Sequence, residues 1–283
     1  MQRLSILTLV VLLSVTHGLG QRTNPPSRTE LASITERGRR LAEYDVAAWY
    51  ATDAVVAMKP AAGSVARYVC RKSDNIWIVA FGRLNETHEK FLIAYEATQG
   101  ANAKAFSVKR FEPPKEDTGF FLAAARAIEV SLGDFKGVSR PYNVAVLPAD
   151  SNQVYVYVIP AQTKQGIFPL GGDARYLVSA DGSKIIEKRQ LHNAILEFSA
   201  PPESESVQGS FHIAVIDDIP EDTDVFHVLS RRPSVPELIA TKQYVFQIET
   251  DGTINYLMTW EAFKKMKHHT SIGRGRAAPR DLY

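Results

Sequence analysis

Cysteine is almost missing from this chain. Cys70 is the only one in 283 residues, so no disulfide can form within it. A chain this long buries a core without covalent staples, so a small disulfide scaffold is excluded. Charge of one sign is missing too. Lys and Arg number 33 against 31 Asp and Glu, and the net charge of +2 gives no field that would gather nucleic acid or an anionic membrane. No apolar run is long enough to span a bilayer: residues 4–15 make about a dozen where roughly 20 are needed. Signature motifs of catalysis are missing as well. Ser64, Ser183 and Ser210 lack the flanking glycines of a nucleophile elbow, no Ser-x-x-Lys pair occurs, and His88-Glu89 has no second histidine one helical turn on.

What is present begins with Arg3, the run 4–15 and the small residues Gly18 and Gly20, the order expected of a cleavable export signal. Residues 1–20 read as signal peptide, with the mature chain starting near Gln21 and no anchor following it. Residues 21–28, with Pro25-Pro26, read as a flexible leader. The expected location is secreted or periplasmic.

Leu31, Ile34, Leu41, Tyr44, Ala48, Ala51, Val55 and Met58 recur at steps of three and four, with Gly38 in the one missing place, which predicts a long amphipathic helix ended by Pro60. The period then changes to two through 65–111, predicting an antiparallel meander with strands such as 75–83 and 90–97. Asp117 starts a second helix carrying Phe121, Ala124, Ala125, Ile128 and Leu132 on one face, with Gly133 as its stop. After Pro141 the apolar runs are short and strand-like, at 142–147, 154–159, 174–179, 184–188, 211–216, 225–229 and 244–248. Asp181-Gly182 and Asp251-Gly252 read as hairpin turns. The fold class expected is α+β: a long N-terminal helix and a second helix packed on antiparallel sheet, with a β-rich C-terminal half. The divisions are a helix-meander-helix region at 29–137, a β-rich region at 138–262 sharing its core or standing apart, and a basic tail at 263–283 that opens on a short helix and is otherwise expected to be disordered. Residues 115–118 and 201–206 read as exposed loops.

Cys70, on a strand, reads as a buried small hydrophobe. Pairing 211–216 with 225–229 as a hairpin puts His212 and His227 on one face, beside a loop holding Asp217, Asp218, Glu221, Asp222 and Asp224. His212, His227, Asp217, Asp222 and Asp224 are therefore the metal candidates, with calcium as the hard cation for the loop oxygens. The competing reading is of capped, hydrated loop acids and ordinary sheet histidines. His192 is a candidate general base without a visible orienting acid, and Asp45 with Asp53 near Trp49 a candidate carboxylate pair. Gly171-Gly172-Asp173 leads into a strand and reads as a turn. Asn85-Glu86-Thr87 is a glycosylation sequon, functional only where eukaryotic machinery exists. No cofactor is implied. The function expected is a non-catalytic binding or assembly protein with an envelope or extracellular protein partner and no nucleic acid. The rival is a hydrolase assembling His192, His212 and His227 in space.

Overall fold

The computed structural model describes residues 24–199 and 207–270. The export signal, the proline-led loop at 201–206 and the end of the basic tail lie outside the described residues.

Helix α1 (Arg28–Ala57) starts at Ser27, whose Oγ accepts a hydrogen bond from the Glu30 amide at 3.2 Å. Its buried side carries Leu31, Ile34, Gly38, Leu41, Tyr44, Ala48, Ala51 and Val55. Met58, expected on that face, falls beyond the helix and is exposed, because the chain turns at Lys59 with a φ of 53° just ahead of Pro60. The meander follows as β1 (Arg67–Ser73), β2 (Ile76–Leu84), β3 (Phe91–Gln99) and β4 (Phe106–Asp117), antiparallel and in sequence order. Asp74 and Asn75, at φ of 50° and 62°, make the tight turn between the first two strands. Residues 115–117 are exposed in part but are not a loop: β4 runs through them, with Asp117 opposite Phe91, and only Thr118 lies beyond it. The Asp117 carboxylate then accepts the amides of Gly119 and Leu122 and so launches α2 (Phe120–Asp134).

The second half is built from β5 (Tyr142–Pro148), β6 (Val154–Pro160), β7 (Ile167–Gly171), β8 (Ala174–Val178), β9 (Ile185–Gln190) and β10 (Ile195–Ser199). Strands β5, β6, β8 and β9 form one antiparallel sheet in that order, and β7 pairs with β10 as a ribbon. Then come β11 (Ser210–Ile213), α3 (Asp222–Ser230), β12 (Glu237–Ala240), β13 (Tyr244–Ile248), β14 (Ile254–Thr259) and α4 (Trp260–Thr270). Both Asp-Gly turns close hairpins, between β8 and β9 and between β13 and β14.

The expected hairpin of 211–216 with 225–229 does not form. Residues 222–230 are helix α3, which carries the chain across so that β11 and β12 pair in parallel. Two features outweigh the β-branched content of the segment. Glu221 and Asp224 cap each other's backbone amides, and Val225 and Val228 bury one helical face.

The fold is α+β, with mostly antiparallel sheets. Helix α1 spans two cores. Its later turns pack with Trp77, Val79, Phe81 and Tyr95 of the meander and with Tyr157 of β6, whereas Leu31 and Ile34 pack with Val225, Val228, Ile239 and Phe246. Helix α2 packs in one cluster with Val69, Ala80, Phe91 and Ile93 of the meander and Val146, Val156, Val158 and Tyr176 of the second half. Cys70 is buried in the first core, as expected, and burial drives its thiol pKa far above the ordinary range. Among the described residues no helix is long and apolar enough to cross a membrane.

Candidate metal centre

The capping pair that starts α3 also builds the site. The Glu221 amide donates to Asp224 Oδ2 at 2.7 Å, which fixes the carboxylate and leaves Oδ1 facing inward. Two imidazoles meet that oxygen. His192, just after β9, brings Nε2 to 3.1 Å, and His212 of β11 brings Nε2 to 3.3 Å. The three ligand atoms lie within 4.8 Å of one another. All three are buried, and among the described residues they face one another with no hydrogen bond to a group outside the trio.

The far nitrogen of each imidazole is held by another carboxylate. His192 Nδ1 lies 2.8 Å from Asp173 Oδ1, and His212 Nδ1 lies 2.7 Å from Glu237 Oε1 on the neighbouring strand. Gln190 laces the two loops on the His192 side, its Nε2 donating to the carbonyls of Asp173 at 2.9 Å and His192 at 2.7 Å. When Nδ1 carries the proton for these carboxylates, Nε2 presents a lone pair toward Asp224. This is the arrangement by which outer carboxylates orient metal-bound histidines. A tetrahedral zinc with nitrogen ligands at about 2.0–2.1 Å sets its ligands about 3.3 Å apart, close to the spacings to Asp224.

Charge points the same way. Asp173, Asp224 and Glu237 are all buried, and the neighbouring cation is Arg231, whose Nη1 is 3.0 Å from Glu237 Oε2. Burial opposes charge on His192 and His212, yet the facing carboxylates prevail. Asp224 and Asp173 hold the His192 pKa well above its ordinary value, and Asp224 with Glu237 raises His212 to about 9. Conversely, Asp224 is held far below the carboxylate range by the two histidines in spite of its burial. A pocket that draws positive charge this strongly between two imidazoles suits a dication in place of their protons.

The structure assembles part of the expected set. His212 and Asp224 stand in the centre. His227, expected beside His212 on a hairpin, instead projects from α3 with its ring 4.8 Å from that of Phe198, and burial lowers its pKa to about 4. Asp217 pairs with Arg189 at 2.7 Å, and Asp222 is taken by Arg37, Arg175 and Tyr157. Of the competing reading, the capping holds for Glu221 and Asp224, but the hydration does not: Glu221, Asp222 and Asp224 are buried, and the half-buried Asp218 accepts from Gln243 at 2.8 Å. His192 does have an orienting acid, Asp173, brought across from the turn before β8. Asp45 and Asp53 form no pair in a cleft: Asp45 is half-buried, while Asp53 is exposed on the same helix as an exposed Trp49. His88 is exposed beside Glu129. The side chains of His268 and His269 lie outside the described residues.

Asp173, Glu237 and Arg231 went unseen in the sequence. One faint signal existed, a charged residue heading an apolar strand in each of Asp173-Ala174 and Glu237-Leu238-Ile239. Comparison of the chain with family models, curated proteins and solved structures gave no match.

Proposed function

We propose that this chain is an exported, non-catalytic metal-binding protein whose centre is His192, His212 and Asp224. It acts in the periplasm or outside the cell through a protein partner rather than through turnover. The observation carrying the metal reading is the convergence of three buried ligand atoms that face only one another while their opposite ends are each pinned. Two imidazoles and one carboxylate favour a transition dication of the zinc class over calcium, which prefers oxygen alone. The burial of His212 and Asp224 favours a structural or storage centre over one that turns over substrate. The rival hydrolase gains the Asp173–His192 pair, but His192 Nε2 faces a carboxylate where a nucleophile should stand. Export rests on the apolar run 4–15 behind Arg3.

The test is metal analysis of the full chain purified from the envelope or medium. About one equivalent of a zinc-class metal is expected, with loss of melting temperature on chelation and its recovery with zinc, and with neither effect in His212→Ala. A native protein without metal whose melt ignores both chelator and zinc would overturn the reading. An N-terminus at Met1 would overturn export.

A further inference from the structure

Bordering Gly172 and Asn193, the chain neighbours of Asp173 and His192, lies a cavity of about 340 Å³ whose walls include Phe135, Val138, Arg140, Tyr142, Ile195 and Glu197. Its size is at the lower end of sites for small organic molecules. Two polar atoms of this wall, Arg140 Nε and Tyr142 Oη, are buried without a hydrogen-bond partner, an arrangement native structures seldom tolerate without a use. The guanidinium is otherwise engaged weakly: Nη2 donates to the Ala161 carbonyl at 3.1 Å, and Nη1 is 3.5 Å from Glu197 Oε1, a half-exposed carboxylate. Lys136, exposed, adds a second positive charge at the rim. Beside these donors the wall is mixed, with Gln190 and Asn193 on one part and Phe135, Val138 and Ile195 on another. Phe135 and Tyr142 meet edge to face with centroids 4.9 Å apart, and Val138 leaves 63% of its surface in solvent, the largest exposure among the large apolar residues of the described chain.

We infer that this cavity binds a small organic acid, its carboxylate taken by Arg140 and Tyr142 and its apolar body laid over Phe135, Val138 and Ile195. A carboxylate supplies acceptors to both orphan donors and matches the excess of positive charge, while an apolar body covers Val138. Arg140 belongs to the segment 135–141, which lies outside helix and strand, and Tyr142 follows directly. Both atoms are closed to solvent here, so binding of the acid would include a shift of that segment. The inference stands whether or not metal occupies the neighbouring centre.

The test is calorimetric titration of the full chain with 3-phenylpropionate and hexanoate, each against its neutral primary amide. The acids are expected to bind saturably and at least about tenfold more tightly than the amides, and Tyr142→Phe and Arg140→Gln to weaken the acids about tenfold without affecting the amides. If Arg140→Gln fails to fold, Tyr142→Phe carries the test, since it removes one oxygen and keeps the contact with Phe135. Equal binding of acid and amide, no saturable binding of either acid, or undiminished binding by Tyr142→Phe overturns the inference.

Discussion

Gly38 of α1 and Val225 of α3 touch where no side chain fits between them: a Cβ on Gly38 would stand 2.4 Å from Val225 Cβ and 2.7 Å from the Asp222 carbonyl oxygen. The helices approach closely because this one position of the α1 stripe is bare, and the approach sets α3 in depth, with Asp224 on it. Gly38→Ala, which stabilises an exposed helix, is therefore expected to destabilise this protein by about 1–3 kcal/mol through overpacking. Urea unfolding checks this. A neutral or stabilising result would mean that the helices yield freely, and metal uptake should then be unaltered as well.

That same position shows what could and could not be read from the chain alone. Periodicity located α1, the meander and α2, and Asp-Gly located two hairpins, because those signals are local. Gly38 was visible as a gap in the stripe, but what fills the gap comes from 187 residues away and leaves no trace in spacing. Residues 225–229, expected as a strand, are helical for a related reason. Val225, Phe226 and Val228 carry strand propensity, whereas the capping by Glu221 and Asp224 and the burial against α1 decide for helix. With α3 taken as a strand, Asp222 and Asp224 belonged to a loop, so the site could not be assembled. Asp173 and Glu237 reach it only through tertiary pairing.

Asp222 ties α3 to two other layers. Arg37 of α1 donates to its Oδ1 at 2.8 Å, Tyr157 of β6 donates to Oδ2 at 2.8 Å, and Arg175 of β8 pairs with the same oxygen. Asp222 and Tyr157 are fully buried and the Arg175 side chain nearly so. Removing the acid alone strands a buried guanidinium. Asp222→Ala is expected to lower stability by about 3–5 kcal/mol, and Arg37→Ala, whose side chain is partly solvated, by clearly less. Equal losses in chemical unfolding would show that the buried Arg175 arm does not dominate.

Asp45 gives a pH dependence whose sign can be worked out. Burial raises its pKa from 3.8 to about 6 in the folded chain. As pH rises, the unfolded state gives up this proton first, so the contribution to stability is complete below about pH 4 and is lost as pH rises through about 6. Asp45→Asn cannot ionise. It should flatten the stability curve across that window and leave the protein about 1–3 kcal/mol more stable than the parent near pH 7. The check is urea midpoints for both proteins at several pH values; curves that run parallel would remove Asp45 as the titrating group.

The metal reading makes its sharpest demand on residues that would never touch the ion. Asp173 and Glu237 hold the far nitrogens of His192 and His212, so Asp173→Asn and Glu237→Gln keep size while withdrawing the charge that orients and enriches each imidazole. Each is expected to weaken zinc binding about 10–100-fold in competition with a chromophoric chelator. His227 is the control. It is as buried as His212, but its Nε2 faces Arg231 at 3.4 Å and lies 4.0 Å from Glu237 Oε2, away from the three ligand atoms. His227→Ala should cost stability through the cavity it leaves and still take up zinc in full stoichiometry. If all three variants lost stability alike and bound zinc alike, the carboxylates would be partners in a buried ion network, and His192, His212 and Asp224 would be its members rather than ligands.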